Sequence, residues 1–310
     1  MSLLPGPVDD AVRNLRGAGL GAVREFAART ALTYGRSLDA DPVLDADWDL
    51  LVVLDACRAD LWREVVGPDH DLPVGETRIA PGGTSTEWMD SVFGAADDAA
   101  LANVGYVTAN PYSDTHVDGD KLAFLEEVWR DGWDDDIGTV RPRAVTDAAV
   151  RAGRERNPER LIVHYMQPHF PSLADEKDDG IAIDEFGERP LSVWEELRFG
   201  HRSKTDVWAA YRENLELVLE DVALLRSNVD AERAVITADH GNAFGEHGIY
   251  GHVGGVALRA LREVPWVVTD AADTGAYEPA DPRMNDAADE DTTDDAAADV
   301  EERLRSLGYR

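Results

Sequence analysis

Four short stretches of this chain carry residue types that could support metal-assisted chemistry. The richest is Thr237-Ala238-Asp239-His240-Gly241-Asn242-Ala243-Phe244-Gly245-Glu246-His247-Gly248. An adjacent carboxylate and imidazole offer an oxygen and a nitrogen to one divalent cation, and the glycine that follows lets the backbone turn closely around it. Asp55, in Leu54-Asp55-Ala56-Cys57-Arg58-Ala59-Asp60, supplies a second carboxylate. Its bland alternative is a helix N-cap at a strand-to-helix turn. Arg58 is either an oxyanion partner or an ion-pair donor to Asp60. The third stretch, Pro81-Gly82-Gly83-Thr84-Ser85-Thr86-Glu87-Trp88, sets two glycines before a hydroxyl cluster. That pattern suits a nucleophile at a helix N-terminus, where a metal can lower a hydroxyl's pKa and backbone N–H groups can hold an oxyanion. Thr84 with Glu87 also fits a capping box, and both roles can hold at once. The fourth stretch, His164-Tyr165-Met166-Gln167-Pro168-His169-Phe170-Pro171, is followed much later by Tyr250-Gly251-His252. Lone histidines are more often structural than catalytic. Two flanking one strand's end, with a third just past the Asp-His loop, are harder to dismiss.

Residues so far apart in sequence need a fold that gathers them. Asp55 closes the apolar run Trp48-Asp49-Leu50-Leu51-Val52-Val53-Leu54, the pattern of a buried parallel strand with a polar residue at its carboxyl end. Three other segments share this grammar: 104–108 leads to Asn110-Pro111, 160–163 to His164, and 233–237 to Asp239-His240. Helical periodicity separates them over 120–132, 143–155 and 205–226, and residues 8–36 read as one or two amphipathic helices. The alternation predicts an α/β fold with a doubly wound, mostly parallel central sheet and helices on both faces, whose ligands gather at the strands' carboxyl ends. On this reading 1–47 form an N-terminal helical segment and acidic linker, and 48–269 form the catalytic domain. Residues 270–301, dominated by Asp, Glu and Ala, read as a disordered acidic linker, and 302–310 as a short helical tail.

Composition narrows the function. Sixty-two acidic residues against thirty basic ones give a formal net charge of −32, and Lys121, Lys177 and Lys204 are the only lysines. The acids are spread along the whole chain, which suits a surface kept hydrated in a salt-saturated, halophile-type cytoplasm. Nucleic acid is excluded as a partner, since neutralising phosphates needs clustered Lys and Arg. Cys57 is the sole cysteine, so no internal disulfide or multi-cysteine metal site can form. No basic stretch leading into an apolar run opens the chain, and no run of about 18 apolar residues occurs, so a cytoplasmic location is expected.

In their order, LDACRAD, GGTSTEW, HYMQPHFP and TADHGNAFGEHG with the later YGH resemble the sulfatase-like branch of the alkaline phosphatase superfamily. That branch includes sulfatases, phosphonate monoester hydrolases, and phosphoglycerol and phosphoethanolamine transferases. The resemblance runs from about residue 48 to 268 and closes on Arg262-Glu263-Val264-Pro265-Trp266. It implies that Asp55, Asp239 and His240 are metal ligands and that Thr84 is both ligand and nucleophile, with Ser85 as the fallback. It further implies that His169 and His252 contact the transferring group or the leaving group, and extends more loosely to His164 and Arg58. The cofactor it implies is a divalent metal ion. An oxygen-rich site with one imidazole suits Mn²⁺, Mg²⁺ or Ca²⁺, while further histidines would favour Zn²⁺. A second site would have to recruit His169, His252 or His247.

The departures from the family matter as much. Sulfatases of this branch convert the Cys or Ser of a Cys/Ser-x-Pro-x-Arg motif to formylglycine, and no such motif occurs here. A formylglycine enzyme releases sulfate by collapse of its geminal diol, whereas a plain hydroxyl would be left as a stable sulfate ester. The expected activity is therefore hydrolysis or transfer of a phosphomonoester or phosphodiester in a small-molecule, glycan or lipid head-group substrate. The alternatives are a sulfatase, and a non-catalytic relative that binds or assembles. Nothing in the sequence indicates an oligomeric state.

Overall fold

The computed structural model describes residues 20–34, 38–66, 70–174 and 192–280. Its frame is a seven-stranded sheet. The strands are β1 (Leu50–Leu54), β2 (Glu76–Ile79), β3 (Val104–Thr108), β4 (Phe124–Glu127), β5 (Arg160–Tyr165), β6 (Ala231–Thr237) and β7 (Glu263–Ala271). They lie in the order β2-β7-β6-β1-β5-β3-β4. From β6 to β4 all neighbours are parallel, while β7 runs antiparallel to both β6 and β2. In register, Val53 of central β1 stands opposite His164 on one side and Thr237 on the other, and Thr108 stands opposite His164 from β3. The carboxyl ends of five parallel strands therefore lie at one edge, and polar residues that follow them converge there.

Six helices matter for the site: α1 (Leu20–Tyr34), α2 (Ala59–Val65), α3 (Ser85–Met89), α4 (Pro142–Arg156), α5 (Val193–Phe199) and α6 (Lys204–Arg226). Every residue of β1 is buried because both faces of the sheet are covered. Side chains alternate along a strand. Leu50, Val52 and Leu54 accordingly enter the layer holding Leu61 and Trp62 of α2, Ala149 of α4 and Leu215 of α6. Leu51 and Val53 enter the opposite layer with Trp88, Phe93, Tyr106 and Ile162. A strand buried on both faces reads in sequence as one continuous apolar run, which is why β1 was legible.

Segment 120–132 departs from the helical expectation. It forms a 3₁₀ turn at Gly119–Lys121, then β4, then one helical turn at Trp129–Gly132. Leu122, Leu125 and Val128 mimic helical spacing, but Phe124 pairs with Gly105 of β3, and any side chain at Gly105 would collide with the phenyl ring. Pairing at the sheet edge overrides local periodicity here. At the other boundary, residues 270–280 do not begin a free linker. β7 runs to Ala271, Arg154 pairs with Asp273 at 2.8 Å, and the Tyr277 hydroxyl donates to Asp147 at 2.6 Å. Counter-charges on α4 hold this acidic stretch against the domain. The remainder of the expected linker, the tail at 302–310 and the expected helix before Leu20 lie outside the described residues. No helix among the described residues is long and apolar enough to cross a membrane.

Candidate metal centre

Asp55 follows β1 directly, and Asp239 and His240 follow β6 after one residue. All three are fully buried, and each offers a ligand atom within 4.8 Å of the others. The backbone holds them tightly. Ala56, next to Asp55, adopts a left-handed conformation (φ 61°), which costs a residue with a Cβ about 1–2 kcal/mol. Two bonds overcome that cost: Ala56 N–H donates to Asp239 Oδ1 at 2.9 Å, and the Tyr211 hydroxyl of α6 donates to the Ala56 carbonyl. Gly241 is required where it stands, since a Cβ there would strike the Ala260 carbonyl oxygen. Its own N–H donates to the Leu261 carbonyl at 2.9 Å, which fixes the turn that presents His240.

The polar atoms divide into those with protein partners and those aimed inward. Asp239 Oδ1 accepts from the N–H groups of Ala56 and His240, whereas Asp239 Oδ2 has no hydrogen-bond donor. Asp55 Oδ2 accepts from Asn110 Nδ2 at 2.9 Å and from the Ser85 hydroxyl at 3.2 Å, whereas Asp55 Oδ1 has no donor. His240 Nδ1 lies 2.9 Å from the Gly241 carbonyl, so the ring proton sits on that nitrogen and the Nε2 lone pair faces the carboxylates. His240 Nε2 stands 3.6 Å from Asp55 Oδ1 and 3.5 Å from Asp239 Oδ2. Buried carboxylate oxygens without donors are costly unless a cation meets them. Two such oxygens beside an imidazole lone pair form a donor set that fits a divalent metal ion.

The electrostatics carry the same signature. Burial and the neighbouring Asp239 charge push the Asp55 carboxyl well above its ordinary range. Burial also works against the Asp239 carboxylate, but the neighbouring His240 and His164 imidazoles and the Ala56 N–H hold it well below that range. Burial and the contact between the two acids thus drive their affinities for protons apart.

Around this centre the structure places the other candidates unequally. The Ser85 hydroxyl points into it, 3.3 Å from His240 Nε2. Thr84, expected there as ligand and nucleophile, is turned away. Its extended backbone (φ −146°, ψ 159°) makes it the N-cap of α3, and its hydroxyl accepts from Glu87 N–H at 3.3 Å and lies 3.1 Å from Thr86 Oγ1. The capping box is only half formed. The Glu87 carboxylate instead accepts from Gly83 N–H at 2.8 Å and Gly255 N–H at 2.6 Å, which ties the hydroxyl turn to the loop after His252.

His169 and His252 adjoin the cluster, with ring centroids 5.0 Å apart and His252 5.1 Å from His240. Burial, with the proximity of other imidazoles, lowers the His169 pKa to about 3 and His252 well below its usual value, so both rings are neutral at pH 7. His164, expected just past a strand's end, lies within β5 and is fully buried. Arg58, expected to contact substrate, is committed elsewhere. Its guanidinium pairs with Asp60 at 2.7 Å and Glu246 at 2.8 Å and donates to the Asn242 carbonyl, stapling the Asp55 turn to the Asp239 loop. His247 is exposed on a left-handed residue (φ 54°) beside Arg58 and Glu246, and does not join the cluster.

The sequence reading missed two asparagines. Asn110 holds Asp55, and its placement after a buried strand was the available signal. Asn214 of α6 clamps the His169 loop, with Nδ2 donating to the carbonyls of Pro171 at 2.9 Å and His169 at 3.2 Å, and Oδ1 accepting from Leu173 N–H at 2.9 Å. No pattern in the sequence marks Asn214.

No protein-family model matches the chain, and no curated protein matches it. Among solved structures, the chain is similar to the integral membrane protein lipooligosaccharide phosphoethanolamine transferase A from Neisseria meningitidis, at 15% identity and a TM-score of 0.50. The match covers 90% of this chain, which spans 59% of that protein's length. It is also similar to the soluble domain of the same transferase, at 15% identity and a TM-score of 0.49 over 76% of this chain and 79% of that one. A putative sulfatase from Bacteroides thetaiotaomicron matches at 14% identity and a TM-score of 0.43 over 71% and 64% of the two chains. The strand order, the mostly parallel pairing and the likeness to the full-length transferase together show that the chain shares the α/β fold of that integral membrane transferase.

Proposed function

We propose that this chain is a metal-dependent enzyme that transfers or hydrolyses phosphate esters, with Ser85 as the attacking hydroxyl. The observation that carries the reading is the Ser85 hydroxyl against Asp55 Oδ2 and His240 Nε2, beside two carboxylate oxygens that have no hydrogen-bond donor. Asp55, Asp239 and His240 would hold the cation, which when bound lowers the pKa of a nearby hydroxyl and offsets negative charge on a transferring group. Ser85 Oγ then attacks phosphorus, the substrate alkoxide departs, and water or an acceptor hydroxyl releases the group from the serine. Neutral His169 and His252, each with Nδ1 against a protein oxygen, can accept at Nε2 the proton that Ser85 or the acceptor hydroxyl loses as it attacks. A serine favours phosphorus over sulfur, because it lacks the diol that would release sulfate. The substrate class that fits is a small-molecule, glycan or lipid head-group phosphate ester.

The test is a screen of matched aryl phosphomonoesters, phosphodiesters, phosphonates and sulfates in high salt, with Mn²⁺, Mg²⁺, Ca²⁺ and Zn²⁺ varied. Metal-dependent phosphate release is expected. Release of sulfate alone would overturn the phosphorus assignment, and purified protein that binds none of these ions would overturn the metal reading.

A further inference from the structure

Three imidazoles crowd the centre, and each holds its Nδ1 against an oxygen of the protein. For His240 and His169 that oxygen is the carbonyl of the next residue, Gly241 at 2.9 Å and Phe170 at 2.5 Å, which no substitution removes. For His252 it is a side chain ten residues away, Asn242 Oδ1 at 3.2 Å. Asn242 is fully buried. Its backbone is fixed without help from that side chain: its carbonyl accepts from Arg58 Nη1 at 2.8 Å, and the same guanidinium is held by Asp60 and Glu246. Its Nδ2 has no acceptor. A buried amide that makes one bond and leaves its donor unmet is a poor choice for stability, and an apolar side chain of the same shape would serve better. The one bond it makes is to an imidazole whose ring centroid lies 5.1 Å from that of His240 and 5.0 Å from that of His169.

We propose that Asn242 is a positioning residue that fixes His252 as the Nδ1–H tautomer and so presents the Nε2 lone pair to the reaction. This rests on the proposed phosphoryl chemistry and deepens it. A neutral imidazole carries its proton on one ring nitrogen, and the hydrogen-bond partner decides which. An amide oxygen only accepts, so a proton on His252 Nδ1 satisfies both groups. When Ser85 Oγ bonds to phosphorus, its proton joins His252 Nε2, and Asn242 Oδ1 holds the Nδ1–H of the imidazolium that forms. The proton then passes to the departing alkoxide. Asparagine does this without charge, whereas a carboxylate in its place would favour the imidazolium before substrate arrives and remove the base.

The experiment uses the full chain, nitrogen-15-labelled at histidine, in Mg²⁺ and in Zn²⁺. Two-bond couplings between the ring nitrogens and the carbon-bound ring protons report the tautomer, and the His252 signals are those lost in His252→Gln. The proton is expected on Nδ1 in the wild type and at least partly on Nε2 in Asn242→Leu. In that variant kcat should fall about 10²-fold or more, with KM little changed, because general-base catalysis contributes 10²- to 10⁴-fold. A proton on Nε2 of wild-type His252, as when the amide is turned over, would overturn the inference and needs no variant to fold. An unchanged tautomer or wild-type kcat in a folded Asn242→Leu would overturn it too. Absence of turnover in the wild type with every metal would instead sink the phosphoryl reading, and the tautomer measurement would still decide whether Asn242 orients His252.

Discussion

Replacing the two neighbouring hydroxyls one at a time separates the roles of Ser85 and Thr84. Ser85→Ala removes the oxygen that stands 3.2 Å from Asp55 Oδ2 and 3.3 Å from His240 Nε2. If that oxygen attacks the substrate, kcat falls by on the order of 10⁴-fold or more, as expected when a covalent nucleophile is deleted. Stability should change by only about 1 kcal/mol, the worth of an ordinary hydrogen bond. Metal affinity should largely survive, because Asp55, Asp239 and His240 remain. Thr84→Ala removes the cap of α3, in which Thr84 Oγ1 accepts from Glu87 N–H. A lost N-cap costs about 1 kcal/mol, or roughly 2–4 °C in Tm for a domain of this size, and leaves kcat within about 10-fold. The assay is steady-state turnover of p-nitrophenyl phosphate and its diester at saturating metal, with calorimetric Tm on the same samples. Mass spectrometry of acid-quenched wild type should locate phosphate on Ser85. Loss of turnover in Thr84→Ala with full activity in Ser85→Ala would refute the reasoning.

Two further outcomes follow from the site. Metal removal should destabilise the protein by about 2.7 kcal/mol relative to a sample holding free ion at 100 times its Kd. The loss should grow with pH. Burial and the Asp239 charge raise the folded pKa of Asp55 above its unfolded value, so Asp55 stabilises the metal-free protein at low pH and ceases to do so as pH rises through the raised value. Tm measured against pH in chelator and in excess metal should diverge on the alkaline side, and parallel curves would count against a shared cation site. Separately, Asn214→Leu strips the donor from the His169 and Pro171 carbonyls and the acceptor from Leu173 N–H. It should cost about 2–4 kcal/mol and lower kcat more than it raises KM. Wild-type kcat in a folded Asn214→Leu would show that His169 needs no such clamp.

The candidate metal centre was legible in the sequence because a buried parallel strand has a plain signature. An apolar run whose two faces are both covered ends where the chain meets water, and Asp55, Asp239 and His240 stand at such ends. Sheet topology then forces those ends to one edge. The sequence by itself thus determined the fold class, the presence of two carboxylates and an imidazole in one place, and the absence of a formylglycine motif. Tertiary structure alone decided which hydroxyl faces them. Thr84 has an extended backbone and commits its hydroxyl to capping α3, while Ser85, the first residue of the helix, turns its hydroxyl to Asp55 and His240. The same holds for Arg58, whose charge was visible but whose partners Glu246 and the Asn242 carbonyl lie more than 180 residues away. Asn110 and Asn214 act through side-chain hydrogen bonds set by packing, which leave no periodicity to read. Periodicity reports burial; the direction of one polar atom depends on the whole fold around it.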